Sequence, residues 1–193
     1  MATYMQRNEV RTTLITLMLR EDHQKVNRLV NQFDNTMTAQ EKRDNVTAAL
    51  TLLEVLITLK EELIYPAWRE HVDEPDLVDE ALNRHHAVHR LIKELKSMNP
   101  EDKQYGPKFA VLGEQVQHHI EEEEGKMFPL AEKADLNWEQ LATYVIERRQ
   151  SLEHKPLWVL GVPVIFERKT VGATRELYSH RSGDGREKLS QCG

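Results

Sequence analysis

The first hundred residues contain almost nothing that would interrupt a helix. Glycine and proline are nearly absent there. Apolar residues recur three and four positions apart, which is the spacing of one helix face. The pattern predicts a first helix from about Gln6 to about Phe33, with an apolar stripe along one side. Such stripes are buried by packing helix against helix, and we therefore expect an all-α fold.

Three further long helices are expected after the first. Thr38 followed by Glu41 is a capping-box signature, and it opens a second helix that Pro66 bends or ends. Pro75 stands in a good first-turn position for a third helix. The fourth helix carries its own apolar row and weakens at Gly125. Four long amphipathic helices with short connections predict an up-down-up-down four-helix bundle.

The C-terminal part of the chain has a different character. Asn137 is expected to cap a shorter fifth helix that ends near Leu152, which places the bundle and this helix in residues 1–153. Residues 154–193 begin with an apolar, β-prone stretch, Trp158 to Phe166, and end in a polar tail. We interpret them as an extended C-terminal arm packed on the bundle. The alternative is a docking segment for a protein partner or a second copy of the chain.

Charge and cysteine content exclude several classes of protein. A net charge of −6 disfavours nucleic acid and anionic membranes as partners. No apolar run is long enough to span a membrane, and the first ten residues lack the apolar stretch of a signal peptide. The one cysteine, Cys192, cannot form an internal disulfide framework. We therefore expect a cytoplasmic protein without membrane or nucleic-acid partners.

Histidines stand at or near the expected core faces of three helices. His23 borders the stripe of the first helix, and His85 and His89 share an apolar row of the third. On the fourth, His119 and Glu123 are four residues apart and can reach one ion from one face. Imidazole and carboxylate together suit iron, zinc or manganese. Separately, each histidine also fits a hydrogen-bonded or solvated role, and the acidic run around Glu123 fits a solvated surface.

Several segments resemble the motifs of hemerythrin-like HHE domains. The most specific is HHIEEEEGKMFP, His118 to Pro129, which resembles the fourth-helix motif H-x-x-x-E-E followed by Phe-Pro. The others are LREDHQKVNRLVNQF in the first helix, KEELIYPAWRE in the second and HHAVHRLIKEL in the third. The resemblance covers roughly Gln6 to Glu132. It implies a hemerythrin-like bundle that holds non-haem iron in its core.

The resemblance also implies which residues bind the metal. The fourth-helix motif assigns His119 and Glu123, the third-helix motif assigns His85, and the Asp-His pair of the first helix assigns His23. His89 resembles the second third-helix histidine of the oxygen-carrying hemerythrins. These five residues are the predicted metal ligands.

The second helix departs from the family pattern. The family has H-x-x-x-E there, with the histidine ten residues before the proline. Counting back from Pro66 gives Leu56, and the glutamate position is Lys60. One imidazole and one bridging carboxylate are thus missing, while an ammonium adds positive charge. We expect one ion rather than two, bound by His85, His119 and Glu123 with His89 or His23. The alternative is a metal-free core in which Lys60 and Glu123 form an ion pair.

Three functions follow from these alternatives. The favoured one is an iron-binding protein that binds or senses O₂, NO or peroxide, or that handles iron. The second is a metal-free interaction module that acts through Leu157 to Phe166. The third is a non-haem iron oxidase or peroxide-decomposing enzyme, ranked last because the sequence defines no organic substrate pocket. Catalytic residues cannot be assigned.

Overall fold

The computed structural model describes residues 13–34 and 36–153. Helices make up nearly all of this part of the chain, and two of the connections between them are π-helical turns. The α-helices are α1 (Leu14–Gln32), α2 (Ala39–Leu59), α3 (Tyr65–His71), α4 (Asp76–Ser97), α5 (Tyr105–Glu122), α6 (Phe128–Ala131) and α7 (Trp138–Glu153). The π-helical turns are Lys60–Ile64, between α2 and α3, and Glu123–Met127, between α5 and α6.

The helices form the expected bundle. The π turns join α2 to α3 and α5 to α6, and the bundle therefore has four legs: α1 is the first, α2 with α3 the second, α4 the third, and α5 with α6 the fourth. Leg one packs on leg two and on leg four, and α4 packs on α2 and α5. Helix α7, which corresponds to the predicted fifth helix, lies against α1 and α2. The expected helix start at Gln6 and the predicted arm at residues 154–193 lie outside the described residues.

Side-chain caps explain where three of these helices begin. Thr13 and Thr16 form a capping box at α1, and the predicted box of Thr38 and Glu41 is confirmed at α2. At α7 the Asn137 side chain accepts a hydrogen bond from the Gln140 N–H at 3.1 Å, as expected. Such caps satisfy N–H groups that have no partner within the helix. Helix α4 begins at Asp76, directly after Pro75.

Both π turns precede a proline. The Tyr65 N–H bonds to the Lys60 carbonyl, and the Phe128 N–H bonds to the Glu123 carbonyl, each five residues back. A proline at the next position has no N–H and would clash with the carbonyl four residues before it. The wider turn accommodates that ring, and so Pro66 does not end the second leg, which continues to His71. Turns of this kind occur frequently at functional sites.

The apolar core is divided into two clusters. One contains Leu19, Ala81 and Met127, and the other contains Val26, Val88 and Ile120. Buried polar side chains stand between the two clusters along the same legs, at His23 in α1, His85 in α4 and Glu123 at the start of the π turn after α5. The fold therefore holds a polar layer at mid-height, enclosed by apolar packing on both sides.

Candidate metal centre

The polar layer is almost completely buried. The exposed fractions are 1% for His23, 2% for Lys60, 1% for His85, 5% for His119 and 0% for Glu123. Tyr65, at 1%, joins them from the start of α3. All four legs of the bundle contribute, which is how such bundles build metal centres.

Two imidazoles and a phenol face one another in one half of this layer. The Nε2 atoms of His85 and His119 are 3.0 Å apart. The Tyr65 hydroxyl oxygen lies 3.5 Å from His85 Nε2 and 3.4 Å from His119 Nε2. The same hydroxyl donates a hydrogen bond of 2.6 Å to Oε1 of Glu123. We call His85, His119 and Tyr65 the paired-histidine half.

An ammonium group occupies the other half. Lys60 Nζ lies 2.5 Å from Oε2 of Glu123 and 3.1 Å from Nε2 of His23. His23 Nε2 is itself 3.3 Å from the same carboxylate oxygen. Glu123 therefore connects the two halves, with one oxygen on Tyr65 and the other on Lys60. We call His23 and Lys60 the lysine half.

The two halves follow the same plan around the two π turns. Glu61, next to Lys60, bonds Nδ1 of His85 at 2.9 Å. Glu124, next to Glu123, bonds Nδ1 of His23 at 2.7 Å. A carboxylate behind an imidazole fixes its orientation and is the usual outer partner of a metal-binding histidine.

The aromatic residues before the two prolines repeat this plan. The Tyr65 ring stacks on His85 with centroids 5.3 Å apart, and the Phe128 ring stacks on His23 at 5.8 Å. The second and fourth legs each place two residues, four positions apart, beside this centre, and the two legs differ in what those residues are. The fourth leg has His119 and Glu123, whereas the second has Leu56 and Lys60, both buried.

Burial and the ammonium set the charges of these groups. Burial, assisted by Lys60, lowers the pKa of His85 to about 2. Burial also lowers the pKa of His119 to about 4, although Glu123 opposes the change. Both imidazoles are therefore neutral near pH 7, and the neutral form is the one that binds metal.

The pKa values of Glu123 and Tyr65 are shifted in opposite directions. Burial by itself raises the pKa of Glu123, but Lys60, His119 and His23 outweigh it and hold that pKa well below its ordinary value. Burial and the Glu123 carboxylate raise the pKa of Tyr65 well above its ordinary value. In the metal-free centre Glu123 is thus ionised, and the Tyr65 hydroxyl keeps its proton.

The remaining predicted ligand, His89, lies outside this centre. His89, predicted to share the buried row of His85, is instead 43% exposed at its side chain, because the apolar face of α4 is narrower than the sequence pattern suggested. It contacts Oε1 of Glu61 at 3.3 Å, the oxygen that also binds His85. Asp22, the neighbour of His23, is buried but pairs with Arg149 of α7.

No direct sequence signal marks Tyr65, Glu61 or Glu124 as members of the centre. The aromatic residue before each proline was recognised only as part of a motif. The clue was the difference between Tyr65 and Phe128 at matching places, since only the tyrosine adds an oxygen.

The residues present do not fit two metal ions. Lys60 Nζ lies between His23 and Glu123, where a second cation would need their ligand atoms, and Leu56 offers no donor. Within residues 13–34 and 36–153, no group of three or more His, Cys, Asp and Glu side chains is arranged to hold an ion. The paired-histidine half does fit a single ion in its donor chemistry, because two neutral imidazoles converge there and Glu61 supports one of them.

We expect the metal-free protein to lose stability between pH 7 and pH 5. The pKa values of His85 and His119 lie below the value near 6.5 of an unfolded histidine. As the pH falls below 6.5, the unfolded chain binds protons that the folded chain binds only near pH 4 and pH 2. The loss is about 2 kcal/mol per histidine, measured by urea unfolding at the two pH values.

A matched pair of variants tests the assignment of this pH dependence. His85→Gln/His119→Gln should flatten it, whereas His86→Gln/His118→Gln, at the exposed neighbours, should preserve it. Equal stability of the original protein at pH 7 and pH 5 would contradict the expectation.

The fold and the buried histidine-carboxylate layer define the class as a hemerythrin-like helical bundle. The model of the hemerythrin HHE cation-binding domain matches residues 14–131. The chain therefore belongs to the hemerythrin HHE cation-binding family, which its sequence motifs resemble.

Comparison with solved structures supports the same fold. The hemerythrin HHE cation-binding domain-containing protein of Mycobacterium kansasii superimposes with a TM-score of 0.56 and 20% identity. The match covers 70% of this chain and 86% of that protein. None of the curated proteins matches this chain. Within the described residues, no helix is both long and apolar enough to cross a membrane.

Proposed function

We propose that this protein binds one metal ion, iron by its family resemblance, through His85 and His119, while Glu123, the other predicted ligand beside them, stays paired with Lys60. The observation that carries the proposal is the 3.0 Å approach of two buried Nε2 atoms, on helices separated in sequence. In the metal-free protein one Nε2–H···Nε2 hydrogen bond accounts for this distance, and the same convergence places two ligand nitrogens where a single ion can reach both. The Nδ1 bond of His85 to Glu61 leaves its Nε2 free to act as a ligand.

The space beside this centre favours a small ligand over an organic substrate. A cavity of about 10 Å³ is lined by His119 together with Arg84, Ala81 and Met127. That volume is roughly what one water molecule needs. We therefore infer that the ion binds or senses O₂, NO or peroxide, or is itself the cargo. Decomposition of peroxide would need no larger cavity and stays a hypothesis.

The Lys60–Glu123 ion pair favours a second candidate, a metal-free interaction module. With Nζ at 2.5 Å from Oε2, the carboxylate already has a cation, and a metal must compete with the lysine for it. A buried pair of this kind can be retained without any ligand. The two candidates differ in metal content.

Metal analysis of the purified protein tests the first proposal. We expect about one iron ion per chain after expression with added iron. His85→Gln/His119→Gln should abolish binding because it removes both nitrogen ligands while leaving Glu123 paired with Lys60. His86→Gln/His118→Gln changes the exposed neighbours on the same helices and should bind as before. An empty protein, or unchanged iron in the first variant, would refute the proposed centre.

A further inference from the structure

The paired-histidine half lacks a third conventional ligand that is free. Glu123 directs Oε2 to Lys60 at 2.5 Å and accepts a hydrogen bond from Tyr65 on Oε1 at 2.6 Å. His23 belongs to the lysine half, and His89 is exposed beside Glu61. The atom that faces both imidazole nitrogens is instead the Tyr65 hydroxyl oxygen.

The spacing of these three atoms matches the ligands of one ion. Their separations are 3.0 Å, 3.4 Å and 3.5 Å. Two atoms that each lie about 2.1 Å from a metal ion, at angles between about 90° and 115°, are about 3.0 to 3.5 Å apart. The Tyr65 ring is held in place by stacking on His85 and by contact with Trp68 at 6.1 Å between centroids. The two nitrogens and the hydroxyl oxygen therefore have this spacing in the metal-free protein.

We propose that Tyr65 is a metal ligand, bound as phenolate, that replaces the anionic ligand missing at Lys60. The inference deepens the proposed function and rests on it. On binding, the Tyr65 O–H bond breaks, an oxygen–metal bond forms, and the proton leaves to solvent. Hydroxyl groups bound to cations lose protons that they would otherwise hold, because the metal charge favours the anion.

The charge balance of the centre favours this role. Relative to the family pattern, Lys60 removes one carboxylate and adds one ammonium. A phenolate restores a negative charge next to the ion and leaves Glu123 paired with the lysine. The matching residue of the lysine half, Phe128, has no hydroxyl, and that half has a single histidine. The oxygen is thus present only where two imidazoles accompany it.

A purely structural role would be the hydrogen bond from Tyr65 to Glu123, and spectroscopy distinguishes the two roles. The protein is loaded with ferrous iron under anaerobic conditions and then oxidised with ferricyanide. A bound phenolate gives ferric iron a visible charge-transfer band, and resonance Raman excitation in that band enhances tyrosine ring modes. We expect both signals in the original protein.

Tyr65→Phe should abolish both signals and weaken iron binding by about tenfold or more. It should fold, because phenylalanine already fills the matching place at Phe128, and circular dichroism checks this. Tyr105→Phe, a buried tyrosine packed in the other apolar cluster, is the control and should keep both signals.

The outcomes separate this inference from the proposed function. One iron per chain without the band, or a band that persists in Tyr65→Phe, would overturn the role of Tyr65 and leave the metal centre standing. No iron in the original protein would overturn both. Loss of the band in Tyr65→Phe with retention in Tyr105→Phe would establish the phenolate ligand.

Discussion

Leu56→His/Lys60→Glu is expected to raise the metal content from about one to about two ions per chain. Leu56 lies four residues before Lys60, as His119 lies four residues before Glu123. Both second-leg positions are buried, Lys60 in the polar layer and Leu56 in the adjoining apolar cluster. The double change therefore supplies an imidazole and a bridging carboxylate to the lysine half, and it removes the ammonium that repels a second cation.

The rest of the second site is already in place. His23 is buried with Nδ1 bonded to Glu124 at 2.7 Å, the partner arrangement of a metal-binding histidine. Elemental analysis after loading with iron measures the change. The control is Leu56→His alone, which keeps Lys60 and should still bind one ion. A folded double variant that binds only one ion would show that more than the charge and ligands of the second leg has been lost.

Glu123→Gln is expected to destabilise the metal-free protein by about 3 to 5 kcal/mol. The change leaves the Lys60 ammonium buried, 2% exposed, without its counter-charge. Adding Lys60→Met in the same chain should restore most of that loss, because replacing both partners of a buried pair is often neutral. Urea unfolding in the presence of a chelator measures the free energy of unfolding for each variant.

An exposed ion pair between the second and third legs of the bundle provides the control. Lys96 of α4 lies 2.5 Å from Glu54 of α2, with side chains 51% and 41% exposed. Glu54→Gln should cost less than about 1 kcal/mol, because water screens that pair. If Glu123→Gln were equally mild, Lys60 would not be a buried ammonium and the argument against two ions would fail.

The helices were largely predictable from the sequence because their causes are local. The capping box at Thr38 and the cap at Asn137 act on N–H groups three residues away. The apolar stripes likewise need only the helical period. The π turn before Pro66 was less predictable. The proline indicated that the second helix bends or ends there, but the tertiary packing of the second leg decided that the helix continues.

The candidate centre was predictable in part. His23, His85, His119 and Glu123 were each expected near a core face, and all are buried in the polar layer. His89 was expected on the same row as His85 but is exposed. The helical period indicates on which side of a helix a residue lies. The width of the buried face depends instead on how closely the neighbouring legs approach. Tyr65 was missed as a site residue because its contacts lie 20 and 54 residues away.

The sequence by itself therefore determined the all-α bundle and the axial depth of the histidines, since periodicity and fixed spacings within a helix carry that information, and its resemblance to the HHE motifs implied the loss of two second-leg ligands. Only the tertiary structure decided that Lys60 bonds Glu123 at 2.5 Å and that Tyr65 faces His85 and His119. These contacts join residues on different legs, and their distances follow from the rotation and depth at which the apolar clusters pack the helices.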